Sequence, residues 1–123
     1  MLTQQFAHRF AAEWIAAWNP HDLRRILAHY ADDFEMSSPF IVKYAGEPSG
    51  TLQGKDAVGR YWQQTLKRIP DLHFTLIDAL FSVESICLYY RSVFEMRAVE
   101  WLRFNDEGKV SKAVAHYHTS PPS

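Results

Sequence analysis

Apolar residues recur along the chain first at helical spacing and then at strand spacing. Phe6, Phe10, Trp14 and Trp18 come every four residues with Ile15 beside them, which predicts a helix whose aromatic stripe must be covered. Asn19, Pro20, His21 and Asp22 read as the start of a second, shorter helix, with Asn as N-cap, Pro at the first helical position and an acid in the first turn. Leu23, Ile26, Leu27 and Tyr30 are its predicted inner face, and the short link makes the pair an αα-hairpin. Phe34 to Ser38 predicts a short strand stopped by Pro39. The stretch 39–54, with Gly46, Pro48, Ser49 and Gly50, reads as a loop whose apolar first half folds over either the core or a ligand. Gly54, Lys55 and Asp56 open a third helix that buries Val58, Tyr61, Trp62, Thr65, Leu66 and Ile69 and ends at Pro70.

From Leu72 onward the period is two. Apolar residues hold even positions from Leu72 to Leu76 and odd ones from Ile77 to Val83, so a bulge is expected near Ile77 and Asp78. Ile86 to Tyr117 reads as three successive antiparallel strands, the last two joined by a polar turn over Asn105 to Lys109 with Gly108 where positive φ is needed. Thr119 onward, with Pro121 and Pro122, reads as a frayed tail. Helices early and strands late predict one α+β domain over 1–123, its helices packed on the concave face of one bent antiparallel sheet.

Composition narrows the partners. Aromatic residues are 15% of the chain, a share that suits a large core or an aromatic-lined cavity. Thirteen basic and fourteen acidic residues give a formal net charge of −1, which offers no footprint for a nucleic-acid backbone or an anionic membrane. Cys87 is the single cysteine, so no internal disulfide is expected, and it reads as a small packed hydrophobe. With neither an apolar run long enough to span a bilayer nor a usual secretory signal at the start, a soluble, cytoplasmic protein is expected.

One carboxylate stands out. Glu100 alternates with Ala98, Leu102 and Phe104, so a buried face would carry a buried acid, which is costly unless protonated or paired. A tight turn at Met96 and Arg97 would put Val93 opposite Glu100 and Arg91 diagonally near it, so Glu100 is either half of an ion pair or a neutral acid facing a ligand. Trp14, Trp18, Tyr30, Tyr61 and Trp62 are either ordinary core or pocket lining. His116 and His118 lie two apart on one strand face, but no third ligand is placed to complete a metal site, and no cofactor is implied. Trp101, on the face opposite Glu100, reads as a dimer contact.

Several strings carry a family resemblance. Trp18 to Leu23 followed by Tyr30 to Phe34, then Gly54 to Val58, then Leu102 to Asn105 with Gly108 to Val110, resemble nuclear transport factor 2-like domains, the superfamily of ketosteroid isomerase and the SnoaL-like polyketide cyclases. The resemblance spans roughly residues 5 to 118 and implies a cone with a central apolar pocket, often in a homodimer that pairs sheet faces. It would place a carboxylate base just before Pro39, where this chain has Ser38, and an oxyanion-hole tyrosine on the first helix, where it has Trp14. Glu100 matches a second, protonated oxyanion-hole acid, and Tyr30 a supporting tyrosine. SnoaL-like cyclases commonly carry an Asp on the last strand; Ala115 is nearest that place, and a slip of one position would turn His116 into the cavity as a general base.

Two functions follow as expectations. The first is a pocket for a small apolar molecule with isomerase-, cyclase- or dehydratase-like proton transfer on a polyketide- or steroid-like substrate. Glu100 and His116 would supply the chemistry there, and Trp14, Trp18, Tyr30, Ser38, Tyr61, Trp62 and Arg91 the binding surface. The second is a non-catalytic ligand-binding or dimerisation module that lacks its relatives' acid and base.

Overall fold

A computed structural model describes residues 1–119. The expected tail beyond Thr119 lies outside the described residues. Helix α1 (Gln4–Trp18) is capped by Thr3, whose hydroxyl accepts from the Phe6 amide, and it buries Phe10, Trp14 and Trp18 on one side. The second helix, α2 (Leu23–Leu27), starts later than predicted: Asp22, not Asn19, is its N-cap and accepts from the Arg25 amide. Asn19 is used elsewhere, its side chain bonding both the carbonyl and the amide of Phe74 at 3.0 and 2.8 Å. That bond pair ties the end of α1 to the sheet.

Strand β1 (Tyr30–Ser37) begins at the tyrosine assigned from sequence to the helix. The segment expected to be a loop contains helix α3 (Pro39–Ala45) and strand β2 (Thr51–Gln53). Ser38 caps α3 by accepting from the Phe40 amide, Pro39 opens it, and Gly46 closes it in the left-handed region at φ 68°. Helix α4 (Lys55–Arg68) follows with Val58 and Trp62 buried as expected. Strands β3 (Thr75–Phe81), β4 (Ser85–Arg91), β5 (Arg97–Phe104) and β6 (Val110–His118) complete the chain. The β3–β4 register shifts between Leu76 and Asp78, where the change of parity predicts a bulge.

The architecture is α+β, with helices on one face of a six-stranded sheet of order β2-β1-β6-β5-β4-β3. One pairing departs from expectation: β1 runs parallel to β6, so the sheet is mixed rather than wholly antiparallel. A long crossover through β2, α4 and the β3–β5 meander separates these two strands, and no local pattern announces their partnership. The concave face carries the core, including Phe34, Met36, Ile86, Leu88, Leu102 and Ala113, against Trp14, Trp18, Ile26 and Trp62 from the helices. Cys87 sits half-buried and free. His29 is half-buried against the Phe10 ring, and burial lowers its pKa. No helix among the described residues is long and apolar enough to cross a membrane.

Candidate functional site

A cavity of about 320 Å³ opens between the concave face of the sheet and helices α3 and α4, near the lower end of the usual size of ligand pockets, roughly 300–1,000 Å³. Across the sheet, Tyr90 pairs with Ala98 and Ala98 with Tyr117, while Leu88 pairs with Glu100 and Glu100 with Ala115. Ala98 and Ala115 thus sit beside Tyr90, Glu100 and Tyr117, the residues of these strands that line the cavity. From α4, Tyr61, Thr65, Arg68 and Ile69 line one side at helical spacing, with Trp62 beside them. Trp18 and Phe74 line the other, their rings 5.4 Å apart.

Glu100 lies on the cavity wall at 5% exposure. One carboxyl oxygen accepts a long hydrogen bond from the Tyr90 hydroxyl at 3.5 Å; the other, Oε2, is buried without a partner. Burial raises its pKa to about 8, an effect that the Tyr90 bond only partly opposes, so near neutral pH the group is mostly a neutral acid with a proton to donate. Tyr61 is pushed up to about 12 by burial, and Tyr117 and Tyr90 are raised further, burial again being the main cause and the nearby Glu100 charge adding to it. These phenols act as hydrogen-bond donors, not bases. The Trp18 indole N–H is a second buried polar group with no partner.

The ion-pair reading of Glu100 fails on register. The β4–β5 connection is longer than a tight turn: Ser92 to Met96 form a loop in which Phe94 and Glu95 take φ of 58° and 60°, and Arg91 faces Arg97 across the strands. Arg91 therefore points to the convex side, exposed, and reaches Glu95 at 3.7 Å. His116 is also on the convex side, exposed, beside Val99. The register places Ala115 opposite Glu100, so His116 does not face the cavity. Trp14 and Tyr30 are buried core rather than cavity lining, joined by a hydrogen bond of 3.1 Å from the indole to the phenol oxygen. Trp18, Ser38, Tyr61, Trp62 and Glu100 do come together at the cavity.

Sequence reasoning missed Tyr90, Tyr117, Phe74 and Met36 on the same wall, together with Lys43, Tyr44 and Arg68. Tyr90 shares even parity with Ile86 and Leu88, a signal that becomes readable once the hairpin register is known. Ser38, at 6% exposure, stands where the resemblance implies a carboxylate base, and its hydroxyl caps α3 and reaches toward Tyr61 and Tyr117. A serine there can position a ligand or a phenol, and its hydroxyl is too weak a base to take a proton from carbon unaided. Among the described residues no cluster of three or more His, Cys, Asp or Glu could hold a metal ion.

A cone of helices on a curved sheet, hollow at its centre and carrying one buried acid, defines the small-pocket class of α+β domains. The SnoaL-like domain family model matches residues 11–113, and the chain belongs to that family, within the nuclear transport factor 2-like superfamily. A crystal structure of a SnoaL-like protein of unknown function from Burkholderia thailandensis is 54% identical, with a TM-score of 0.92 over 94% of this chain and 97% of that one. A provisionally assigned ketosteroid isomerase from Kribbella flavida is similar in fold at 19% identity, with a TM-score of 0.71 over 98% of this chain and 85% of that one. A protein of ketosteroid isomerase-like fold from Catenulispora acidiphila, solved with trimethylamine, matches at 16% identity and a TM-score of 0.71, covering 86% of this chain and 82% of that one. At such identities the last two speak for the fold alone. No curated protein matches the chain.

Proposed function

We propose that the cavity binds a small apolar molecule bearing a carbonyl, a polyketide- or steroid-like compound, and that Glu100 donates its proton or a hydrogen bond to the carbonyl oxygen. The observation that carries this reading is the unpartnered Oε2 of a buried acid on the wall of an aromatic cavity. A neutral carboxyl in a dry site stabilises an enolate far better than the same group in water, because its dipole is already oriented and no solvent competes. The Trp18 N–H, likewise buried and unpartnered, offers a second donor. Isomerase- or cyclase-type chemistry of this kind fits the family, and a homodimer pairing the convex faces around Trp101 accompanies it in our reading.

A second reading has its own support. Among the described residues the cavity wall carries no carboxylate or histidine apart from Glu100, which leaves no evident base near neutral pH to begin a proton shuttle. On that basis the protein would be a binding module that grips a carbonyl compound without turning it over. One experiment separates the two. Carbonyl-bearing ligands found by thermal shift are incubated with the protein in heavy water, and deuterium entry at the carbon next to the carbonyl is followed by NMR. The catalytic reading expects exchange that Glu100→Gln abolishes; stabilisation without exchange favours the binding module; a Gln variant that binds and exchanges like the wild type ends the role given to Glu100.

A further inference from the structure

We infer that the ligand is an apolar acid, held with its carboxylate or other anionic end at the cavity mouth by Lys43 and Arg68 and its apolar body directed inward toward Glu100. This rests on the small-molecule pocket proposed above and adds the ligand's charge and orientation. The charges lining the cavity are unevenly placed. Lys43 and Arg68 line it and are exposed, which puts them at the opening, whereas Glu100 is almost fully buried. Among the described residues neither cation makes an ion pair, and Glu100 is the only Asp or Glu on the lining.

The two cations are also held at one point. The Arg68 guanidinium stacks at 3.8 Å from the centre of the Tyr44 ring, and the Lys43 ammonium lies 5.1 Å from it. Arg68 spends one N–H on the Thr65 hydroxyl at 3.3 Å, which leaves the rest of its fork for a ligand. Bringing two like charges to one aromatic ring is unfavourable unless an anion or solvent screens them, and a half-enclosed mouth with low-dielectric walls strengthens their field on an entering anion. Glu100 and Trp18 also line the cavity, each with a buried polar atom that lacks a partner, and a neutral carboxyl there suits an uncharged oxygen rather than a second carboxylate. A molecule with an anion at one end and a carbonyl-bearing apolar body matches both ends.

The test is titration calorimetry at pH 7 with three probes that share one ring system: 2-naphthylacetate, 2-naphthylacetamide and 2-(2-naphthyl)ethylamine. The acetate is expected to bind about tenfold more tightly than the amide, the size of one charge-assisted contact, with the amine weakest. Raising the salt should erode the acetate's advantage and leave the amide unchanged. Lys43→Gln with Arg68→Gln should abolish the preference while keeping the amide's affinity, and Lys67→Gln, a cation of the same helix that does not line the cavity, should change neither. Equal binding of all three, or tightest binding of the amine, overturns the charge inference and leaves the apolar pocket standing. A preference for acetate that survives the double substitution overturns the role of the two cations. Failure of every probe to bind removes the pocket reading itself.

Discussion

The two faces of β5 place charged residues under opposite conditions. On the convex side Arg103 reaches Glu84 at 3.1 Å and Arg97 reaches His118 at 3.0 Å, and on the neighbouring strand β6 Lys112 reaches Glu35 at 3.5 Å. Each of these charges has a partner and is open to water, which makes it inexpensive and replaceable. On the concave side Glu100 has one long hydrogen bond and an empty oxygen. A carboxyl kept so far from water lowers the stability of the protein that carries it, and the role proposed for Glu100 is one that would offset that cost. Burial depth, more than residue type, separates ordinary surface charge from candidate chemistry here.

The largest effect that sharpens this contrast comes from pH. In the unfolded chain Glu100 loses its proton around 4.5, whereas in the folded protein it holds on until about 8. Stability is therefore expected to fall as pH rises from 4.5 to 8 and to level off above, at about 1.36 kcal/mol for each pH unit of that interval. Glu100→Gln should remove this slope, so urea unfolding at pH 5 and pH 9 should show the variant gaining several kcal/mol on the wild type at the higher pH. Parallel profiles would mean that the acid is hydrated after all. Next in size is the packing of the same face. Leu102→Ala, at a fully buried position, should cost about 2–5 kcal/mol, whereas Arg103→Ala on the opposite face should cost about 0.2–1 kcal/mol. Chemical denaturation reads both, and similar losses would erase the difference between the faces.

Smaller effects test the partners. Tyr90→Phe deletes the one hydrogen bond to Glu100, a bond that favours the ionised form, so the midpoint of the pH profile should move upward by a fraction of a pH unit. A downward move would show that the phenol had been stabilising the neutral acid. His116→Ala should alter unfolding by no more than about 0.5 kcal/mol and leave ligand affinity alone, since the ring is exposed on the convex side. Lost affinity in that variant, measured by thermal shift, would put the histidine back in the site.

Much of this was legible because periodicity is a strong signal where an element is long and half-buried. The stripe of Phe10, Trp14 and Trp18, the parity change that marks the bulge in β3, and the row holding Glu100 could all be read from spacing alone. Helix α3 was harder, because Phe40, Ile41, Val42 and Tyr44 favour strands over helices. The signals that fix it were nonetheless present, in Ser38 as cap, Pro39 after it and Gly46 at the end. The hairpin between β4 and β5 could not be measured from its residues, since Phe94 and Glu95 adopt a left-handed conformation usually taken by Gly or Asn. That uncertainty alone misplaced Arg91. The cavity wall contributed by Tyr90 and Tyr117 depends on the registers of the β4–β5 and β5–β6 hairpins, which bring both beside Ala98 and which the length and shape of the connecting turns decide.

The position of β6 constrains the order in which the sheet can close. It lies between β1 and β5, so among the described residues the two halves of the sheet meet only through β6. Until β6 is in place, β1 with β2 and the meander β3 to β5 keep unpaired inner edges, and only the helices hold the two groups of strands together. Closure of the whole sheet therefore waits on a strand far along the chain from β1, so its slowest step is a long-range one.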